Sequence, residues 1–147
     1  MYKRQYKYIA VSIVSGDLRF VILAIPIPKI SMETDYYVKE LLIFVKSLIP
    51  IETVLLDRGF YTWSVIRVLK ELKLRYIILV PKYDKFKEWL KKGAGLHEHR
   101  WKTNRDKTTQ KKISTYIAVL SGYESFDWVF ATNINANTYD TVRTLRI

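Results

Sequence analysis

The chain has no cysteine, so disulfides and thiolate metal sites are excluded. That composition fits a reducing compartment, and the cytoplasm is the expected location. Its five glycines form no phosphate-cradling loop. There are two histidines, and no Ser-His-Asp grouping can be built from them around a marked nucleophile. No apolar run reaches the ~20 residues that a membrane-spanning helix needs. Acidic residues are also in short supply.

What is present starts with charge. Twenty-five Lys and Arg stand against 14 Asp and Glu, a net charge of +11 over 147 residues. Such a balance points to a polyanionic partner, nucleic acid before an anionic membrane; a basic protein with no special partner is the bland alternative. No helix pairs a broad basic face with a broad apolar one, which favours DNA over a membrane surface. The length and an apolar content of 49% suit one folded domain over 1–147 with a real core. No internal repeat or linker divides it.

Met1–Gly16 has the outline of a signal sequence, with Lys3 and Arg4 ahead of an apolar run at Tyr8–Val14. That run is short for the purpose and a second strand-like run follows at once, so it reads as a strand. Gln5–Val14 and Leu18–Ile25 are rich in β-branched and aromatic residues and flank Ser15-Gly16-Asp17, the pattern of a hairpin. Both strands are apolar at odd and even positions, which predicts burial on both faces. Pro26 and Pro28 are expected to stop the ladder.

Thr34–Ile49 has helical periodicity, with Val38, Leu41, Leu42, Val45, Leu48 and Ile49 on one face, and Pro50 ends it. Thr53–Leu56 reads as a strand leading to Asp57. Thr62–Lys73 reads as a helix with Trp63, Ile66, Leu69 and Leu72 inward, and Tyr76–Val80 as a buried strand. Residues 54–80 thus form a β-α-β unit with a parallel strand pair. A short basic helix at Asp84–Lys92 follows, then strands at Glu98–Thr103, Lys112–Leu120 and Trp128–Thr132, and a last helix from Asn137.

Asp57 is the first candidate for chemistry. A carboxylate at the C-terminal end of a buried strand sits where open α/β sheets place their ligands. It suits a hard cation such as Mg²⁺. Its alternative reading is a turn or helix-start aspartate. One aspartate does not hold the two ions that phosphoryl transfer on DNA commonly uses. Of the other acids, Asp17 belongs to a turn and Glu52 precedes its strand. Glu71, Asp84 and Glu88 fall on helix faces beside Lys or Arg; Asp140 is the least implausible second ligand. His97 and His99 share one face of a strand, yet two histidines without a third ligand make a poor zinc site and read better as surface residues.

Arg100, Trp101, Lys102, Arg105, Lys107, Lys111 and Lys112 fall within thirteen residues. Such a segment binds phosphates through its cations and stacks an unpaired base on its aromatic, or it is a solvated hairpin tip. Arg58 and Lys82 would add positive charge to the same rim.

Val54-Leu55-Leu56-Asp57-Arg58-Gly59-Phe60-Tyr61, a helix, then Tyr76-Ile77-Ile78-Leu79-Val80-Pro81-Lys82 resembles the second-aspartate region of DDE transposases of the IS4-like group, archaeal insertion-sequence members in particular. Tyr8–Ile27 is similar to the strands that follow the first aspartate in those enzymes. Trp128-Val129-Phe130-Ala131-Thr132-Asn133 is similar to the strand before their final catalytic helix. The resemblance implies a ribonuclease H-like fold, a mixed sheet flanked by helices. It also implies a metal-dependent DNA cleavage and joining activity that uses Mg²⁺ or Mn²⁺.

Of the family's Asp, Asp, Glu triad only the second member carries over, onto Asp57. The first belongs to a strand ahead of Met1 and the glutamate to a helix beyond Ile147, so the chain reads as a catalytic core clipped at both ends. Its expected state is inactive alone, with metal weakly bound or absent. The missing first strand is central in such a sheet, so the hairpin and the Asp57 strand either pair directly, receive a strand from another chain, or leave the fragment poorly stable. Expected partners are DNA, another copy of the chain or a full-length transposase, with no membrane. The alternative function is a non-catalytic basic DNA-binding protein that regulates transposition.

Overall fold

The computed structural model describes residues 7–15, 17–27, 34–81, 83–93, 95–100, 113–123 and 125–134. The first two apolar runs pair antiparallel as β1 (Lys7–Ser15) and β2 (Leu18–Ile27). Next comes α1 (Thr34–Leu48), which buries Val38, Leu41, Leu42 and Val45. Leu48, expected on the same face, is exposed in its last turn.

β3 (Thr53–Leu56) and β4 (Arg75–Leu79) are parallel, with Thr53 opposite Arg75 and Leu56 opposite Ile78. Between them run a 3-10 turn at Arg58–Phe60 and α2 (Trp63–Glu71). The remaining elements are α3 (Asp84–Lys91), β5 (Gly95–Arg100), β6 (Ser114–Tyr123) and β7 (Phe126–Thr132). The last predicted helix, from Asn137, lies outside the described residues.

The architecture is α/β, with a five-stranded mixed sheet in the order β3-β4-β7-β6-β5 and helices flanking it. Alternation along the strands divides the core in two. Tyr76, Ile78, Ile117, Val119, Val129 and Ala131 face the helices and join Val65, Ile66, Leu69, Phe86 and Leu90 in the main cluster. Ile77, Ala118, Leu120 and Phe130 point to the opposite face, where Leu96 and Trp128 pack on them.

The hairpin departs from expectation in two ways. Among the described residues it forms a two-stranded sheet of its own rather than joining the larger one. Its burial is also one-sided: Ile9 is buried and Val11, Leu23 and Ile25 pack on the core, but Tyr8 is 61% and Val21 69% exposed. An apolar residue on each face signals only a capacity for burial; a neighbour must be there to use it. The ladder also runs past Pro26, which pairs opposite Tyr8. The free side of β2 accepts a residue without an N–H, as edge strands do.

β7 lies between β4 and β6, antiparallel to both. Side chains lengthen this seam beyond the strand. Asn133 Oδ1 accepts from Tyr76 N at 3.0 Å, and its Nδ2 donates to Leu74 O at 2.9 Å, so one side chain imitates the next rung of the ladder. Thr132 Oγ1 donates to Tyr76 O at 2.8 Å. Thr115 Oγ1 lies 2.9 Å from the Tyr76 hydroxyl and donates to Thr132 O at 3.1 Å. Burial pushes the Tyr76 phenol above its ordinary range. Asn133→Ala removes both partners of the β4 backbone and is expected to lower stability by about 2 kcal/mol, read from urea unfolding, because a desolvated amide is left unpaired.

Candidate functional site

Asp57 stands at the C-terminal end of β3. Its backbone is extended (φ −72°, ψ 165°) and its carboxylate accepts from Arg58 N through Oδ1 at 2.7 Å. It caps the 3-10 turn, and that turn closes with Phe60 N donating to Asp57 O at 3.0 Å. The following helix, α2, has its own cap: Thr62 Oγ1 accepts from Val65 N at 3.3 Å. Asp57 is therefore not required to start α2. Its side chain is exposed, and among the described residues no ion pair engages it.

Several of the other acids are occupied elsewhere. Glu52 pairs with Arg75 at 3.1 Å. Glu71 meets Arg67 and Asp84 meets Lys87 at helical spacing, as expected, while Glu71 also reaches Lys39 of α1; among the described residues no ion pair engages Glu88, which was expected to pair in the same way. Asp127 ties the β6–β7 turn through Ser121 Oγ and Gly122 N. Among the described residues no three His, Asp or Glu side chains gather into a group that could hold a metal ion. Asp140 lies outside them.

A cavity of about 560 Å³ opens beside Asp57. It is lined by residues of β1 and β3 and by Val38, Leu41, Leu42 and Val45 of α1. The two strands do not pair across it.

Of the predicted rim, Arg58 is exposed beside Asp57. Arg100 ends β5 and is held by Glu98 through two contacts, at 3.0 and 3.2 Å. That partner pushes the guanidinium up and the Glu98 carboxyl down. Lys82, Trp101, Lys102, Arg105, Lys107, Lys111 and Lys112 lie outside the described residues.

His97 and His99, expected at the surface, are half-buried in a packed cluster between α3 and β5. The His97 ring stacks on Trp89 with centroids 4.4 Å apart and planes 8° from parallel. His99 meets Phe86 edge-on at 6.1 Å, and Lys85 Nζ lies 3.4 Å from its Nε2. Burial pushes both imidazoles below their ordinary range, with Lys92 adding to the effect at His97 and Lys85 at His99. The signal was available: Lys85 and Trp89 are four apart on a helix, and His97 and His99 two apart on a strand.

This cluster predicts acid sensitivity. Imidazoles depressed in the folded chain bind protons more readily once it unfolds. Their contribution to stability is thus present above about pH 6.5 and is lost as pH falls through the folded-state values. The urea midpoint is expected to drop between pH 7.5 and 5, and to drop less in the His97→Phe, His99→Phe double variant.

No described helix is long and apolar enough to cross a membrane. Comparison with protein-family models, with curated proteins and with solved structures finds no match to this chain.

Proposed function

We propose that the chain is catalytic-core material of a DDE transposase of the IS4-like group, without strand-cleavage activity on its own. The observation that supports this most is the exposed Asp57 carboxylate at the C-terminal end of a parallel β3–β4 pair, the place where open α/β sheets gather their ligands. The mixed sheet is compatible with a ribonuclease H-like arrangement lacking a strand beside β3. Asp57 would give one oxygen ligand to Mg²⁺ or Mn²⁺. A two-ion centre needs several carboxylates; among the described residues no three gather into such a group, and Glu52, which lines the same cavity, is paired with Arg75, so they do not fit that centre by themselves.

Supercoiled plasmid incubated with the purified chain and Mn²⁺ or Mg²⁺ tests this. The expected result is no nicking by the native chain or by Asp57→Ala. Metal-dependent nicking that disappears in Asp57→Ala would show a completed site and overturn the inactive state.

A second reading is a non-catalytic DNA-binding protein that regulates transposition. The structure of α3 favours it: Phe86 and Leu90 turn into the core, while Lys87 and Lys91 face outward with Lys92 beside them. The apolar face of this basic helix is therefore committed inside the protein and not offered to a lipid surface.

A further inference from the structure

β3 and β4 are parallel, so both end at the same edge of the sheet. Asp57 follows β3 there. The chain leaving β4 turns at Pro81, where Tyr83 N donates to Pro81 O at 2.8 Å. Tyr83 then takes the position before α3, with an extended backbone (φ −70°, ψ 151°) and no side-chain hydrogen bond to the helix. That position favours Ser, Thr, Asp or Asn, whose oxygens satisfy an open N–H of the first turn. A tyrosine caps nothing, and this one leaves 44% of its surface exposed. Ring contacts hold it in place. Tyr61, just past the Asp57 turn, lies 6.3 Å away between centroids, and the wholly buried Phe86 lies 6.0 Å away. Burial pushes the Tyr61 hydroxyl above its ordinary range, so this neighbour is seated in the protein and not in solvent.

We propose that Tyr83 is a stacking platform for an unpaired base of a single-stranded nucleic acid, with Lys85 beside it for the adjoining phosphate. Lys85 Nζ stands 5.5 Å from the Tyr83 centroid, within the reach of a cation over a ring. Asp84 is paired with Lys87, and Asp57 is followed by Arg58, which leaves Lys85 as a cation against the ring. Local charge is thus close to balanced, which suits a flat uncharged group, while the +11 of the whole chain draws a polyanion. An unpaired nucleotide has both parts, a base with a free π-face and a phosphate. In a duplex each base already lies between its neighbours, so a ring of this kind selects single strands. A tyrosine anchored by other rings also loses little freedom when it binds. This inference rests on the DNA-binding reading and adds to it the strandedness of the ligand and the residue that reads it.

The probes are a labelled thymidine oligonucleotide of about eight residues, a usual site size, and a chain of the same length whose sites are all abasic. Their charge is equal and only the bases differ. At low salt the native chain is expected to bind the thymidine probe about fivefold or more tighter than the abasic one, the lower end of what one stacked base contributes. Tyr83→Ser removes the ring and supplies a capping oxygen, so the fold is kept, as a urea midpoint checks. It should cut that ratio about threefold or more and leave duplex affinity unchanged, while Tyr83→Phe should keep the ratio. Equal affinity of the native chain for the two probes would overturn the platform and leave phosphate binding standing. An undiminished ratio in Tyr83→Ser would overturn it too, by placing the stacked base elsewhere, as on Trp101. So would loss of the ratio in Tyr83→Phe, which would assign the contact to the hydroxyl. Binding of neither probe nor of duplex would overturn the DNA-binding reading and the platform together.

Discussion

Affinity for duplex DNA is expected to fall about a hundredfold when monovalent salt rises from about 50 to about 200 mM. The magnitude follows from counterion release: log affinity falls with log salt at roughly 0.9 per neutralised phosphate, and about four contacts give this loss. The sequence offers more than four cations on the proposed rim, at Arg58, Lys82, Arg100, Lys102, Arg105, Lys107, Lys111 and Lys112. Arg100 is already engaged by Glu98, so it should contribute less than its neighbours. The triple variant Arg105→Gln, Lys107→Gln, Lys111→Gln should reduce the slope by about three and weaken binding to all sequences alike, because phosphate contacts carry no base information. Fluorescence anisotropy across a salt series measures both. An affinity independent of salt, or no binding at low salt, would remove nucleic acid as the partner. An unchanged slope in the triple variant would move the contact surface to α3, where Lys87, Lys91 and Lys92 lie.

The elements that local pattern determines were legible in the sequence, and their assembly was less so. The β-α-β unit around Asp57 follows from an apolar run and an inward helical stripe of Trp63, Ile66, Leu69 and Leu72; Ile66 and Leu69 are fully buried and Trp63 and Leu72 half-buried. The hairpin was equally clear as a pair of strands. Its isolation from the larger sheet was not, because strand periodicity says which faces are apolar and nothing about which neighbour covers them. The position of β7 between β4 and β6 rests on ladders between strands far apart in sequence, extended by Asn133 reaching Leu74 O and Tyr76 N across 59 and 57 residues of chain, contacts with no local signature. The same holds for the site. Asp57 was visible as a strand-end carboxylate. The cavity beside it is lined by strands far apart in sequence. His97 and His99 were misjudged because alternation fixes a shared face, while the Trp89 and Phe86 rings that half-bury that face come from another element.

Phe86→Ala is expected to cost about 3–5 kcal/mol, the range for removing a fully buried aromatic. Phe86 is wholly buried in the main cluster although it sits on a helix of only eight residues. Its ring lies 5.4 Å from Trp89 and has Lys85 Nζ 4.9 Å above it, both on α3 itself, and meets His99 of β5 at 6.1 Å, so it ties the helix to β5 as well as to the main cluster. A helix that short is not stable through its own backbone hydrogen bonds and depends on such packing. Against a typical domain stability of about 5–15 kcal/mol, the loss is a large fraction of the whole. Urea unfolding should show a lower midpoint with an unchanged slope. Phe86→Leu keeps most of the volume and should cost less, about 1–1.5 kcal/mol. Phe44→Ala offers the control of the same chemistry at an exposed position of α1, where the change should stay within about 0.5 kcal/mol. A loss below about 1 kcal/mol for Phe86→Ala would mean that α3 is not docked on the sheet. The lysines of α3 would then have no fixed place on the protein, and any DNA affinity they contribute would come from an unanchored segment.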